Sequence, residues 1–102
     1  MCMPAICRVG DSLSTGHGCD TTTTIAAPNT DGTVHANSID IIVVGAPTVS
    51  HLIPASDCVP HVAFLNAGSG SVFINGIGVG RIGDSADAGA MISGSPTVFA
   101  GG

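Results

Sequence analysis

The chain has 102 residues, a formal charge of −5, 44% hydrophobic residues and only 9% charged residues. This length fits one domain, residues 1–102, and is too short for two. Arg8 and Arg81 are the only arginines and there is no lysine, so the chain lacks the basic surface that nucleic-acid binding requires. Disordered segments are highly charged, so we expect instead a folded domain whose apolar surface is covered by a partner.

The composition predicts an all-β protein. Leu occurs three times and Glu and Lys are absent, whereas Val and Ile occur ten times each, which favours strands over helices. No apolar run approaches the roughly 18 residues of a membrane span. The start, Met-Cys-Met-Pro, lacks the features of a secretory signal. Without that signal, the four cysteines favour metal binding or free thiols over disulfides.

An internal repeat organises the chain. Residues 72–84 align without gaps on residues 34–46, at an offset of 38. The chain also opens with half a unit at residues 4–11 and closes with the complementary half at residues 94–99. The two full units and two halves predict a small, roughly trigonal body of three units that share a core.

Each unit is predicted to be a β-hairpin. Asn75-Gly76 favours the positive φ values of a type I′ turn, and Asn37-Ser38 is a weaker version of that turn. Connectors at residues 12–33, 47–71 and 85–93 are rich in Thr, Pro, Ser and Gly, and we interpret them as loops between the hairpins.

The repeats resemble those of the PAAR-repeat proteins, which tip the spikes of contractile phage tails, type VI secretion systems and related injection particles. Pro-Ala-Ile-Cys-Arg-Val-Gly-Asp at residues 4–11 is similar to the family's Pro-Ala-Ala-Arg-x-Gly-Asp signature with one inserted residue. Residues 68–76 and 94–99 resemble its central and closing segments. The middle unit departs from the pattern at Ser38, Val43 and Ala46. The resemblance implies a small conical body that docks by its broad face on a trimeric β-helical spike and holds a metal ion at its apex.

The resemblance also implies that histidines and a cysteine hold this metal. In this sequence the implied set is His17, His51, Cys58 and His61. Three imidazoles and one thiolate suit a closed tetrahedral zinc site, and the thiolate favours zinc over iron. Cys19 competes with Cys58 or with one of the histidines, and in a further alternative the histidines are solvated and bind no metal. The third connector contains no His or Cys, so the first two connectors are expected to supply the ligands.

Several other polar residues are interpreted as structural. His35 takes a strand place that Phe occupies in the other units, and Cys7 lies inside a repeat motif. Arg8 and Arg81 each precede x-Gly-Asp, and we expect each to pair with the Asp of its own motif or with a neighbouring loop.

The function expected from the resemblance is a non-enzymatic structural tip. One chain would cap each spike trimer, sharpen it, and transiently contact the target outer membrane, in the tail or baseplate of a virion. An enzyme would need an open zinc position and a general base, for which only a loop carboxylate such as Asp20 or Asp57 is present. The alternative is a type VI spike tip or adaptor, made in the bacterial cytoplasm and secreted, that carries effectors noncovalently. The sequence ends at Gly101-Gly102 directly after the last repeat, so no fused cargo is expected.

Overall fold

The computed structural model describes residues 4–30, 32, 34–55 and 57–101. Within these ranges the chain forms short antiparallel hairpins and no helix, which confirms the all-β prediction. Accordingly, no helix of the described residues could cross a membrane. The strands are β1 (Ser12–Ser14), β2 (Thr22–Thr24), β3 (His35–Ala36), β4 (Ile39–Asp40), β5 (His51–Ala55), β6 (Asp57–His61), β7 (Phe73–Ile74), β8 (Ile77–Gly78), β9 (Ser85–Ala86) and β10 (Gly89–Ala90).

The two predicted hairpin turns are confirmed. β3 pairs with β4 around Asn37 and Ser38, whose φ values are 56° and 65°. β7 pairs with β8 around Asn75 and Gly76, whose φ values are 53° and 80°. Two successive positive φ values are what a type I′ turn requires.

The third hairpin unit is divided between the two ends of the chain. Ala5 bridges Phe99 in antiparallel orientation. This bridge corresponds, through the repeat offsets, to the Phe73 and Gly78 pair of the β7–β8 hairpin. The opening and closing half units therefore join in space into one unit, as the repeat predicts.

A ring of three main-chain hydrogen bonds joins the units. The amide of Cys7 donates to the carbonyl of Gly80 (2.8 Å), the amide of Gly80 to the carbonyl of Ile42 (2.9 Å), and the amide of Ile42 to the carbonyl of Cys7 (3.2 Å). These three residues are equivalent in the repeat, so the ring surrounds a pseudo-three-fold axis. The bridges beside it follow the same cycle and pair Ile6 with Arg81, Arg8 with Ile41, and Val43 with Val79.

The ring divides the core into two layers, because successive side chains of an extended strand point to opposite faces. Ile41 and Ile42, adjacent in sequence, accordingly pack in different buried clusters. The cluster on the side of the connectors consists of Cys7, Leu13, Ile25, Ile42, Ala46, Leu65, Ala86 and Met91. The cluster on the side of the repeat hairpins consists of Ile6, Ala36, Ile41, Val43, Ile74, Val79 and Ala100.

The Arg-x-Gly-Asp motifs form matching turns. Arg8 Nε donates to Asp11 Oδ2 and Arg81 Nε donates to Asp84 Oδ2, each over 3.0 Å. The backbone amide of each arginine donates to the same carboxylate oxygen. The middle unit, residues 43–46, makes the same backbone turn, with Val and Ala buried where the other units have Arg and Asp. The predicted structural pairing of both arginines is confirmed.

The connectors differ from the prediction, because each contains a hairpin rather than a plain loop. β1 pairs with β2, β5 with β6, and β9 with β10. The β5–β6 hairpin is the longest, with five residues in each strand, and neither of the other units has a counterpart of that length. The three principal extents of the molecule are 41, 30 and 21 Å.

Substitution of Gly80 by Ala tests the packing at the ring. An added Cβ would lie 2.6 Å from Leu65 Cδ2 and 2.9 Å from Ile42 Cγ1, so the core must shift to accept it. Overpacking of this kind costs about 1–3 kcal/mol, and we expect Gly80→Ala to lower the free energy of unfolding by that amount in urea titrations. Gly18→Ala is the matched control, because nothing lies within 4 Å of its added Cβ. Equal stability of the two variants would contradict the packing described.

Candidate metal centre

Three histidines and one aspartate meet where the three connectors converge. His17 follows β1 in the first connector, His51 and His61 lie opposite each other at the base of the β5–β6 hairpin, and Asp87 lies in the turn of the β9–β10 hairpin. One nitrogen from each ring and one carboxylate oxygen all lie within 4.8 Å of one another. Each of the three pseudo-equivalent units therefore contributes to a single cluster that could hold a metal ion.

Close backbone contact brings the first and third connectors together. Gly16 has a φ of 76°, and a Cβ added there would lie 2.3 Å from the carbonyl oxygen of Ala88. The amide of Ala88 donates to the carbonyl of Thr15 over 2.9 Å. Only glycine fits at residue 16. The close approach of the two backbones that it permits places His17 next to the turn that carries Asp87.

Side-chain and backbone hydrogen bonds attach the first connector to the second. The amide of Asp20 donates to the carbonyl of Leu52 (3.2 Å), and the amide of Leu52 donates to Asp20 Oδ2 (2.8 Å). Thr15 Oγ1 donates to the carbonyl of Asp20 (2.7 Å). These bonds set the segment that carries His17 against the strand that begins at His51.

The hydrogen bonds of the Nδ1 atoms determine the tautomers of His17 and His51. Nδ1 of His17 lies 2.9 Å from the carbonyl oxygen of Gly18, and Nδ1 of His51 lies 3.0 Å from that of Val49. A carbonyl oxygen only accepts, so each Nδ1 carries a hydrogen. In the neutral rings both Nε2 atoms are then unprotonated, which is the tautomer of a histidine metal ligand.

Both Nε2 atoms point at one carboxylate. His17 Nε2 and His51 Nε2 each lie 2.8 Å from Asp87 Oδ2. Two nitrogen lone pairs and a carboxylate repel each other at this distance unless a proton or a metal cation lies between them. Protonation of both rings would place two imidazolium cations parallel, with centroids 5.3 Å apart. A divalent cation could take the place of a proton among the three groups.

The pKa values of the cluster show how strongly its groups interact. The hydrogen bond to the Gly18 carbonyl raises the pKa of His17, burial opposes this, and the hydrogen bond to Asp87 adds to it. Burial of Asp87 acts to raise the pKa of its carboxyl, but the hydrogen bonds with His51 and His17 outweigh it and the pKa falls below its usual value. Asp87 is therefore a carboxylate, the form that binds cations.

His61 provides the independent sign of a ligand. Its Nε2 is buried and has no hydrogen-bond partner, and it lies 3.5 Å from Asp87 Oδ1. A buried polar atom without a partner is costly. Donors bound tetrahedrally at about 2.0–2.2 Å from zinc lie about 3.3–3.6 Å from one another. To bind one ion with all four groups, the 2.8 Å contacts to Asp87 must lengthen and the widest separations, up to 4.8 Å, must shorten.

The structure corrects the fourth ligand. Cys58, predicted to be the thiolate, forms a disulfide with Cys19, and their Cα atoms are 5.9 Å apart. Neither sulfur is a thiolate in this structure, so neither Cys58 nor the competing Cys19 can bind a metal. The expectation of metal ligands or free thiols was wrong for this pair, because the fold places side by side two connectors that are distant in sequence.

Asp87 is the member of the cluster that was not predicted from the sequence. The expectation for the third connector was based on its lack of His and Cys, although a carboxylate can also bind a metal. The repeat offsets of 38 and 73 relate Asp87 to Val49 and Ser14 and to none of the histidines, so the repeat carried no signal for it. His35 lies outside this cluster, and its Nε2 is 2.7 Å from Asp40 Oδ1 on the paired strand, so its interpretation as structural agrees with its position.

Comparisons with known proteins do not identify a family. A scan against protein-family models and a search of curated proteins both find no match to this chain. The resemblance to PAAR-repeat proteins therefore rests on the residues and repeats of the chain itself.

Metal content separates the cluster from the remaining histidine. We expect about one ion per chain, as for a mononuclear four-ligand site, when protein purified without a metal-affinity tag is measured by mass spectrometry. His51→Ala and Asp87→Ala should lose the ion and melt at markedly lower temperature, because a structural metal contributes on the order of 10 kcal/mol to folding. His35→Ala is the control and should keep both metal and stability. The site would be refuted if the wild-type protein contained no metal and melted at the same temperature as the His51→Ala and Asp87→Ala variants.

Proposed function

We propose that this protein is a non-enzymatic tip that caps and sharpens the trimeric β-helical central spike of a contractile injection machine, in the tail or baseplate of a phage particle. One chain sits on each trimer, and the opposite end meets the outer membrane of the target cell during contraction. The observation that carries the proposal is the pseudo-three-fold ring of Cys7, Ile42 and Gly80. This ring gives a single chain approximately the three-fold symmetry of the end of a trimer. One molecule can therefore present three similar backbone segments to the three identical strands of the spike.

An apolar surface lies on the side of the ring that faces away from the metal centre. It is formed by the two repeat hairpins and the joined chain ends. Its exposed apolar residues are Val34, Ile39, Val72, Phe73, Ile77 and Phe99. A protein that displays this much apolar side chain next to few charges is expected to bury it against a partner. The open end of a β-helical trimer also exposes unpaired backbone groups, which such hairpins can cover.

We propose zinc as the ion at the other end. Three imidazoles and a carboxylate are all zinc ligands, and four protein donors make a closed structural site. The carboxylate replaces the thiolate on which the preference over iron was based, so the proposal of zinc now rests on the number and type of donors. Cross-linking the three connectors through one ion stiffens the end that must penetrate.

The surroundings of the cluster support a structural role over a catalytic one. A catalytic zinc keeps an open position and needs a general base nearby. Asp20 uses its carboxylate to accept a hydrogen bond from the amide of Leu52. Asp57 lies in the exposed strand β6 and begins it beside the hairpin turn. The Asp20 carboxylate is therefore engaged in the contact between connectors, and Asp57 lies at the opposite end of the β5–β6 hairpin from His51 and His61.

Docking can be tested with matched substitutions on the two sides of the ring. Phe73 is 53% exposed on the apolar surface, and Ile92 is 52% exposed next to the connector-side core. We expect Phe73→Asp to weaken binding to a purified trimeric β-helical spike protein of the same particle by about tenfold or more, because burial of a Phe side chain contributes about 1.5–3 kcal/mol. Ile92→Asp introduces the same charge and should leave binding unchanged.

Two measurements test the docking. Light scattering on the complex eluted from a size-exclusion column should give one chain per trimer, and titration calorimetry gives the affinity of each variant. Binding of three chains per trimer, or equal loss of affinity in the two variants, would contradict the proposed docking surface. Circular dichroism of each variant confirms that the fold is retained.

A further inference from the structure

We propose that the disulfide between Cys19 and Cys58 controls the metal centre, so that the oxidised chain binds its ion tightly and the reduced chain binds it weakly. The inference rests on the metal centre of the proposed function and adds a redox dependence to it. Cys19 lies two residues after His17, and Cys58 lies three residues before His61. The bond therefore joins the two segments that carry all three histidine ligands.

The ligand segments depend on this bond because they are distant in sequence. The disulfide spans a sequence separation of 39 residues, and it is the covalent cross-link found among the residues that the structure describes. The other direct links between these segments include the hydrogen bonds between Asp20 and Leu52, and the bond to the Asp20 carboxylate is exposed to water. In the reduced chain these hydrogen bonds act without the covalent link, so metal binding must supply more of the ordering of the two segments, which lowers the apparent affinity.

The disulfide is accessible, and the remaining described cysteine is not. Cys19 and Cys58 are both exposed, so a dithiol reductant or a small disulfide can reach their sulfurs. Cys7 is fully buried, and burial followed by the charges of Asp11 and Asp84 raises the pKa of its thiol to about 12. Because only a thiolate attacks a disulfide, exchange among the three cysteines that the structure describes is confined to the Cys19 and Cys58 pair.

The chemical step is an ordinary thiol–disulfide exchange. Oxidation by a low-molecular-weight disulfide such as oxidised glutathione forms the Cys19–Cys58 bond and releases two glutathione thiols. The two cysteine thiols give up two electrons and two protons, which the two leaving thiols carry away. No metal redox chemistry is involved, and the ligands His17, His51, His61 and Asp87 are unchanged in composition.

Reciprocity makes the inference quantitative. If the disulfide strengthens metal binding by a given factor, bound metal must make the disulfide harder to reduce by the same factor. Measurements of two independent equilibria, metal binding and glutathione exchange, must then give the same coupling factor.

The experiment measures zinc affinity of the full chain in chelator-buffered Zn²⁺, in its oxidised form and after reduction with a phosphine. We expect the reduced chain to bind zinc about tenfold or more weakly, within the usual range of such couplings. The glutathione equilibrium of the Cys19 and Cys58 pair, with and without saturating Zn²⁺, should shift by the same factor. The Cys19→Ser/Cys58→Ser double variant is the control. It should match the reduced chain, and phosphine should not change its affinity.

The other outcomes each overturn the inference in a distinguishable way. Equal zinc affinity in the two redox states would refute the control by the disulfide and leave the metal centre intact. Tighter binding by the reduced chain, lost in the double Ser variant, would show that a thiolate replaces a ligand. Absence of zinc from both forms would refute the metal centre as well, whereas docking on a spike would be unaffected. Circular dichroism of the reduced chain with saturating zinc shows whether an affinity change reflects global unfolding, which would also count against the inference.

Discussion

The fold depends on the closed cycle of main-chain hydrogen bonds between Cys7, Ile42 and Gly80. Each of these residues gives its amide to one neighbour and its carbonyl to the other, so no unit can be displaced without breaking two bonds in a buried place. The strands that form the cycle send alternate side chains to its two sides. One side leads into the repeat hairpins and the other into the connectors. The division between the end with the repeat hairpins and the end with the His/Asp cluster therefore follows from the pleat of three short strands.

The same construction explains why the connector end needs cross-links. The molecule has two small buried clusters instead of one large core, and its 15 glycines lose much conformational freedom on folding. Small domains with little core are commonly stabilised by disulfides or metals. The disulfide and the candidate metal cluster both lie where the connectors meet, the place at which hairpins of unequal length depart from the three-fold repeat.

The features that could be predicted from the sequence are those that depend on neighbouring residues or on the internal repeat. The turns at Asn37 and Asn75, the joined half units, and the pairing of Arg8 and Arg81 with the Asp of their own motifs all depend on residues close in sequence or on the repeat offset. The hairpins of the connectors could not be predicted from their residues. The longest contains Pro54 and Pro60 in its paired strands, and proline argues against a strand. Four of the five residues of β6 are exposed, so this strand has no alternating apolar pattern. The sequence identified the three histidines, but the carboxylate became apparent only from the three-dimensional neighbourhood of Asp87.

The carboxylate ligand and the disulfide are two aspects of one arrangement. Had Cys58 been the fourth ligand, the fold would still have placed Cys19 beside it, and oxidation of that pair would have removed a donor from the metal. Asp87 is not consumed by oxidation, so the cluster keeps its four donors while the two sulfurs join the connectors. The substitution of a carboxylate for a thiolate thus separates the group that binds the ion from the group that fixes the ligand segments. Under the proposed redox control, we expect an end built in this way to become more rigid, rather than less, when it passes from reducing to oxidising surroundings.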